Sequence, residues 1–144
     1  MVAWTSNLFG PYQLAAYVKA KDNREIALFA EDLRSRRFIT DLDPRICKIL
    51  PGDEKEDAIT LSSAAHCALL LINVDYRIRK EREIVQDLRK IGGVRLARAM
   101  WGPSDVMCIV EAKDAEAMRN LICDQIKILT GVAANTTLVC YPSA

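Results

Sequence analysis

The side chains able to do chemistry in this chain are few, and their spacing excludes most of it. Five cysteines stand at positions 47, 67, 108, 123 and 140. No two are spaced Cys-x-x-Cys and none is set among histidines, so neither a zinc site nor a disulfide framework is indicated. Cys47, Cys108 and Cys140 lie within apolar runs, where a thiol acts as a small hydrophobe and suits a reducing compartment. His66 is the one histidine. It adjoins Cys67 in sequence, but a nucleophile and its base need apposition in space and an orienting third group. His66 therefore reads as structural. Glu111 and Asp114 straddle a strand end and a helix cap, and do not make a paired-carboxylate site. No glycine-rich phosphate loop is present, and nothing calls for a metal or a cofactor. Trp4 and Trp101 read as packing residues, with the wall of a ligand pocket as the alternative.

The bulk of the chain sets the next bounds. Its 144 residues are 51% apolar and 27% charged, enough for a real core and against disorder. A net charge of +1 argues against nucleic-acid binding, which needs a strongly basic face. The basic clusters Arg34-Ser35-Arg36-Arg37 and Arg77 to Arg82 are interleaved with Glu31, Asp32, Glu81 and Glu83, and read as solvated helix faces. The N-terminus lacks a signal-peptide pattern. The longest apolar run, Ala68 to Val74, falls far short of the roughly 20 residues a membrane helix needs. A soluble, cytoplasmic protein is expected.

The elements that must position these groups follow from a repeat. Gly10-Pro11-Tyr12-Gln13-Leu14-Ala15-Ala16-Tyr17-Val18-Lys19-Ala20-Lys21-Asp22 returns as Gly102-Pro103-Ser104-Asp105-Val106-Met107-Cys108-Ile109-Val110-Glu111-Ala112-Lys113-Asp114, at a constant offset of 92. Ile26, Phe29 and Ala30 fall on Met118, Leu121 and Ile122. Two copies are too few and too long for a solenoid, so the pattern is a duplicated supersecondary unit.

The complete copy reads as a strand over Ala68–Val74, then a helix over Lys80–Ile91 with Ile84, Val85, Leu88 and Ile91 on one stripe. Gly92-Gly93 ends that helix. A strand over Val94–Met100, with Val94, Leu96 and, loosely, Ala99 alternating against Arg95 and Arg98, a Gly-Pro turn and a strand over Asp105–Ala112 follow. Asp114 caps a helix running to about Leu129, and Thr136–Tyr141 closes the unit. The order predicts an α+β fold, the ferredoxin-like βαββαβ arrangement. A partial ββαβ repeat precedes it: strands Val2–Thr5 and Tyr12–Ala20, a helix from the Asp22 cap to about Arg36, and a strand over Ile46–Leu50. The expected organisation is 1–51 as the partial repeat, 52–66 as a linker and 67–144 as the complete domain. Within the linker, Ser62-Ser63 caps a helical turn or Ile59-Thr60-Leu61 makes a small strand. A sheet with one helix leaves apolar surface and a strand edge uncovered. The two sheets are therefore expected to pair within the chain, and the chain to oligomerise.

The run from Ala68 to Tyr141 resembles the effector-binding (RAM) domain of the Lrp/AsnC regulators. The residues that carry the likeness are Leu69 to Val74, Gly102-Pro103-Ser104-Asp105-Val106, Val110-Glu111-Ala112-Lys113-Asp114, Leu129-Thr130-Gly131-Val132 and Thr136-Thr137-Leu138-Val139. The resemblance implies a dimeric α+β barrel arrangement and assembly into dimers or higher homo-oligomers. It also implies a small effector, mostly an amino acid, bound in clefts between subunits. By position, the effector-binding residues are Ala99, Gly102, Asp105, Ala115, Leu138, Val139 and Cys140. Gly102 would let a ligand approach backbone, and Asp105 would accept hydrogen bonds from an α-ammonium. In the first copy Gln13 replaces that aspartate, so a pocket there would be altered or silent.

The resemblance departs at residues 1–66, which show no three-helix DNA-binding pattern, so direct DNA binding is not expected. The first reading is a non-enzymatic regulatory, ligand-sensing domain that acts through oligomerisation and can pair with full-length Lrp/AsnC regulators. The alternatives are a small enzyme of the dimeric α+β barrel type, which shares the topology, and a scaffold that caps other RAM assemblies. The enzyme reading needs convergent titratable groups, for which the sequence offers only Asp105, Glu111 and His66.

Overall fold

Short apolar runs, packed on both faces, build the centre of the sheet. The computed structural model describes residues 2–53 and 66–141. In chain order the elements are β1 (Val2–Leu8), β2 (Leu14–Val18), α1 (Asn23–Arg34), β3 (His66–Val74), α2 (Glu81–Arg89), β4 (Val94–Ala99), β5 (Val106–Ala112), α3 (Ala115–Asn120) and β6 (Val132–Tyr141). A π-helical turn over Leu121–Ile126 continues α3, with the Lys127 N–H donating to Ile122 O five residues back. All pairings are antiparallel, in one six-stranded sheet of order β2-β1-β6-β3-β5-β4. Strands β6, β3, β5 and β4, with α2 and α3, are the ferredoxin-like βαββαβ unit expected from the sequence.

β3 is the central strand, and its side chains divide the interior. Ala68, Leu70, Ile72 and Val74 turn to the helices and pack with Ile84, Val85 and Leu88 of α2 and with Met118, Leu121, Ile122 and Ile126. Leu70, Ile72, Ile84 and Leu88 are wholly buried, each stabilising the fold by about 1.5–3 kcal/mol on area alone. The other face carries a second cluster of Trp4, Leu96, Met100, Met107 and Ile109, with Cys67, Leu69, Leu71 and Cys140 packed against it. Trp4 belongs to β1, so the N-terminal hairpin curls over the face the helices leave bare.

The two copies of the repeat fold alike. The Leu8 N–H donates to Gln13 O at 3.0 Å, and the Met100 N–H to Asp105 O at 2.7 Å, closing equivalent turns. Gly10 and Gly102 hold φ of +120° and +111°, a region that favours glycine. Asp22 accepts from the Glu25 N–H and Asp114 from the Ala117 N–H, capping α1 and α3.

Three expectations change. The copies do not pair as two sheets: β1 joins the edge of β6, through Asn7 opposite Tyr141 and Leu8 opposite Cys140. This satisfies the β6 edge that a lone unit would expose. The strand expected over Ile46–Leu50 is reduced to one bridge, Cys47 with Met100, because β4 offers only the end of its outer edge there. Arg98, read as an outward residue of its strand, is buried at 6% exposure. Its guanidinium meets Asp53 Oδ1 at 3.0 Å and donates to Asp53 O at 2.8 Å. The small-strand and cap alternatives at 59–63 lie outside the described residues. Among the described residues no helix is long and apolar enough to cross a membrane.

Candidate functional site

The β4–β5 turn sets three of the seven expected site residues close together. Ala99 ends β4 and is fully buried on the helix face. Gly102 lies in the exposed turn, where an added Cβ would meet nothing within 4 Å. The turn is thus open to solvent at its tip, and glycine serves the backbone there rather than close packing.

Asp105 is more committed than a waiting ligand group. Its Oδ2 accepts from the Val74 N–H at 2.8 Å, and its Oδ1 faces the Tyr76 hydroxyl at 3.1 Å. Its own N–H donates to Ile72 O at 2.9 Å. The carboxylate therefore ties the β5 entrance to the exit of β3, and its turn-capping reading and its ligand reading share one position. Tyr76 also bonds Glu81 at the start of α2. Burial, then Glu81 and Asp105, push the tyrosine hydroxyl above its ordinary pKa, so its single proton stays on and serves one carboxylate at a time.

The first copy contributes to this corner. The Lys48 N–H donates to Ala99 O at 2.8 Å, and the Trp101 N–H to Ile46 O at 2.9 Å. The Lys48 ammonium pairs with Glu81 and lies 4.2 Å from the centre of the Trp101 ring, a cation–π contact. Trp4 is buried as a packing residue. Trp101 is 63% exposed, so the second tryptophan faces solvent over the turn. Trp101 was raised by the sequence as a possible pocket wall, whereas Tyr76, Glu81 and Lys48 were not singled out as site residues. Tyr76 and Glu81 flank Asp105 only through the β3–β5 pairing, and Lys48 arrives from the other repeat. A tyrosine and a glutamate at the two ends of the β3–α2 loop are the one local signal that could have raised them.

The remaining four residues lie elsewhere. Ala115 opens α3 just after β5, whose Ala112 pairs with His66 at the start of β3. Leu138 and Val139 pair with Leu69 and Ala68. Leu138 is buried, and Val139 is 45% exposed on the opposite face. Cys140 sits beside Cys67, sulfur to sulfur 3.3 Å. His66 is exposed and is not the partner of Cys67. The Asp105 turn meets β3 at Ile72–Val74 and the second group meets it at His66–Leu69. At about 3.3 Å per residue, the two groups stand roughly 10–25 Å apart along β3. One chain does not bring all seven together. Among the described residues, no three or more metal-ligating side chains gather.

A ferredoxin-like sheet with helices on one face and an open Gly-Pro-Ser-Asp turn at its rim defines an α+β class that hosts ligand-binding domains and enzymes alike. The match to the Lrp/AsnC ligand binding domain over residues 67–143, more than half of the chain, makes the assignment: the chain belongs to that family. No curated protein matches it in sequence. Among solved structures, TTHA0845 from Thermus thermophilus shares 22% identity over 55% of this chain and 96% of its own, with a TM-score of 0.50. E. coli AsnC shares 12% identity over 85% of this chain and 74% of its own, also at 0.50. MtbAldR shares 20% over 84% and 72%, at 0.50. At these identities the likeness is one of fold.

Proposed function

We propose that this chain is a non-enzymatic sensor of a small metabolite, an amino acid in particular, bound where two subunits meet. The observation that carries the reading is the separation of the seven residues into two groups. A free amino acid is too short to touch Gly102 and Asp105 at one end of β3 and Ala115, Val139 and Cys140 at the other. It reaches both groups only where one chain presents its turn to the far end of a neighbour. Ligand binding then changes assembly, because the ligand completes a contact between chains.

The chemistry of the turn supports a zwitterion. Asp105 and Glu81 offer carboxylates for an α-ammonium, Lys48 offers a cation for an α-carboxylate, and the exposed Trp101 ring offers an apolar wall. The internal Lys48–Glu81 pair is the pairing such a ligand would replace. Partner chains include a second copy or a full-length Lrp/AsnC regulator. Helix α1 supports this, since it buries no residue completely and leaves Leu28 at 56% exposure. A cytoplasmic location belongs to the same proposal, supported by five cysteines that are all thiols.

The test is thermal unfolding against single amino acids at millimolar concentration, with light scattering on the same samples. A ligand at 100 times its Kd adds about 2.7 kcal/mol, roughly 5–10 °C for a chain of this size. The proposal expects one chemical class of amino acid to raise the midpoint and change the particle mass. Asp105→Asn keeps an oxygen for the Val74 N–H but removes the charge, and should abolish the shift. No response to any amino acid would reject the sensor in favour of a scaffold.

A further inference from the structure

The cysteine pair at the junction of the two repeats carries chemistry that effector binding does not use. Ala68 faces Val139 in the β3–β6 ladder, so one step further Cys67 stands directly opposite Cys140. Residues directly opposite in antiparallel strands have Cα atoms about 4.5–5.5 Å apart, within the span a disulfide needs. Both side chains point to the same face of the sheet, into the cluster with Trp4, Met107 and Ile109. Their sulfurs are already 3.3 Å apart. A small rotation of the side chains, without backbone movement, brings them to bonding distance.

We propose that Cys67 and Cys140 are a redox modification site that closes reversibly to a disulfide, stapling β3 to β6 beneath the N-terminal hairpin. The oxidant is a small-molecule disulfide, reacting by thiol–disulfide exchange. The Cys140 thiolate attacks one sulfur of that disulfide, forms a mixed disulfide and expels one thiolate. The Cys67 thiol then loses its proton to solvent and attacks the Cys140 sulfur, closing the protein disulfide and expelling the second thiolate. Two protein thiols are oxidised and one external disulfide is reduced to two thiols.

The division of roles follows from the surroundings. The Cys67 thiol donates to the Cys140 sulfur. Against burial, the Ser6 hydroxyl and the Leu69 N–H join it in holding Cys140 down at about 7. The Cys140 bond, burial and the nearby Glu111 push Cys67 the other way. Cys140 is thus the attacking sulfur and Cys67 the resolving one. Both are only partly buried, so a small oxidant can reach them. The other three thiols lack this arrangement. Cys47 has the Met107 sulfur at 3.9 Å and is pushed up to about 11 by burial. Cys108 is buried on the helix face, and Cys123 is exposed on the π turn.

Position gives the bond a consequence. Cys140 is also the residue opposite Leu8, where β1 joins the sheet, and Ser6 of β1 reaches its sulfur. Oxidation withdraws the thiolate that Ser6 serves, so the hairpin senses the state of the pair.

The experiment incubates the full chain with oxidised glutathione, blocks remaining thiols with iodoacetamide and maps the peptides by mass spectrometry. The expected result is one intramolecular link, Cys67 to Cys140, reversed by dithiothreitol, with an unfolding midpoint raised by roughly 5–10 °C. Cys67→Ser removes the resolving thiol, so Cys140 should be trapped as a stable glutathione adduct. Cys140→Ser should leave Cys67 unmodified over the same period. Links formed mainly through Cys47 or Cys123, or no link in folded wild-type protein, would overturn the proposal. So would a Cys67→Ser protein that gathers no adduct at Cys140.

Discussion

The unit β1–β2–α1 and the unit β4–β5–α3 share an outline residue for residue, and they end in different states. Each begins with a hairpin whose turn rests on a positive-φ glycine, Gly10 or Gly102. Each continues into a helix capped by an aspartate. α1 spans Asn23–Arg34, and the matching stretch holds α3 and its π turn. Yet Met118, Leu121, Ile122 and Ile126 are buried, whereas no residue of α1 is. Local sequence suffices for the strand, turn, cap and helix, because those depend on neighbours a few residues away. Burial depends on companions. The second unit has β3, α2 and β6 to pack against, whereas the first sets β1 on the β6 edge and Trp4, Ala15 and Tyr17 against the bare face of the sheet, and leaves α1 without a buried residue. A helix without its sheet keeps its shape and leaves its apolar stripe half-buried.

Substitutions can break or sharpen this comparison. The largest effect is expected at Asp53, which lies after the first unit and holds Arg98 of β4 and Arg89 of α2 while accepting from the Leu50 N–H. Asp53→Ala leaves Arg98 of β4 and Arg89 of α2 without that carboxylate, and should cost about 3–5 kcal/mol in urea unfolding. Burial works against its charge, but Arg89, the Leu50 N–H and Arg98 together hold its carboxyl below the usual range. A depressed folded pKa means its stabilisation is complete above the unfolded value near 4. It is lost as pH falls through the folded value. An acid titration of stability should therefore steepen below about pH 4 in the wild type and flatten in Asp53→Asn.

The next effect contrasts the helices directly. Leu121→Ala should cost about 2–4 kcal/mol by opening the buried core, and Phe29→Ala, its counterpart, less than about 1 kcal/mol. Equal losses would mean that α1 is covered in solution by another chain. Gly10→Ala and Gly102→Ala should each cost about 1–2 kcal/mol for the strained φ, since the two turns are alike. The smallest effect is at the caps. Asp114→Ala should lower global stability by about 1 kcal/mol. Asp22→Ala should act chiefly on helix content measured by far-UV circular dichroism, because α1 can melt without the core.

The same contrast explains what was legible in the sequence. The repeat, its turns and its caps could be read directly, and helix bounds fell within a few residues of those observed. The complete unit's topology followed from element order and a recognisable run of residues from Ala68 to Tyr141. The missed features are all non-local. That β1 would join the edge of β6 rather than form a separate sheet depends on which edge is open after folding. Ile46–Leu50 has strand composition but only one bridge available to it. Arg98 looked outward by charge, and its partner Asp53 lay in a stretch read as linker. Around Asp105, the turn itself was visible, whereas Tyr76 and Glu81 at the ends of the β3–α2 loop and Lys48 from the first repeat converge on it from two separate segments.

The joining of β1 to β6 also bears on the birth of the protein. The hairpin ends at Val18 and the strand it docks on ends only at Tyr141, so the hairpin leaves the ribosome well before its neighbour. At typical synthesis rates of about 5–20 residues per second, the finished hairpin waits on the order of 10 s for its neighbour. During that time Trp4 has no cluster to enter and the β1 edge is open to other chains. Slower translation or greater crowding of nascent chains should therefore lower the yield of native protein without changing the stability of the finished fold.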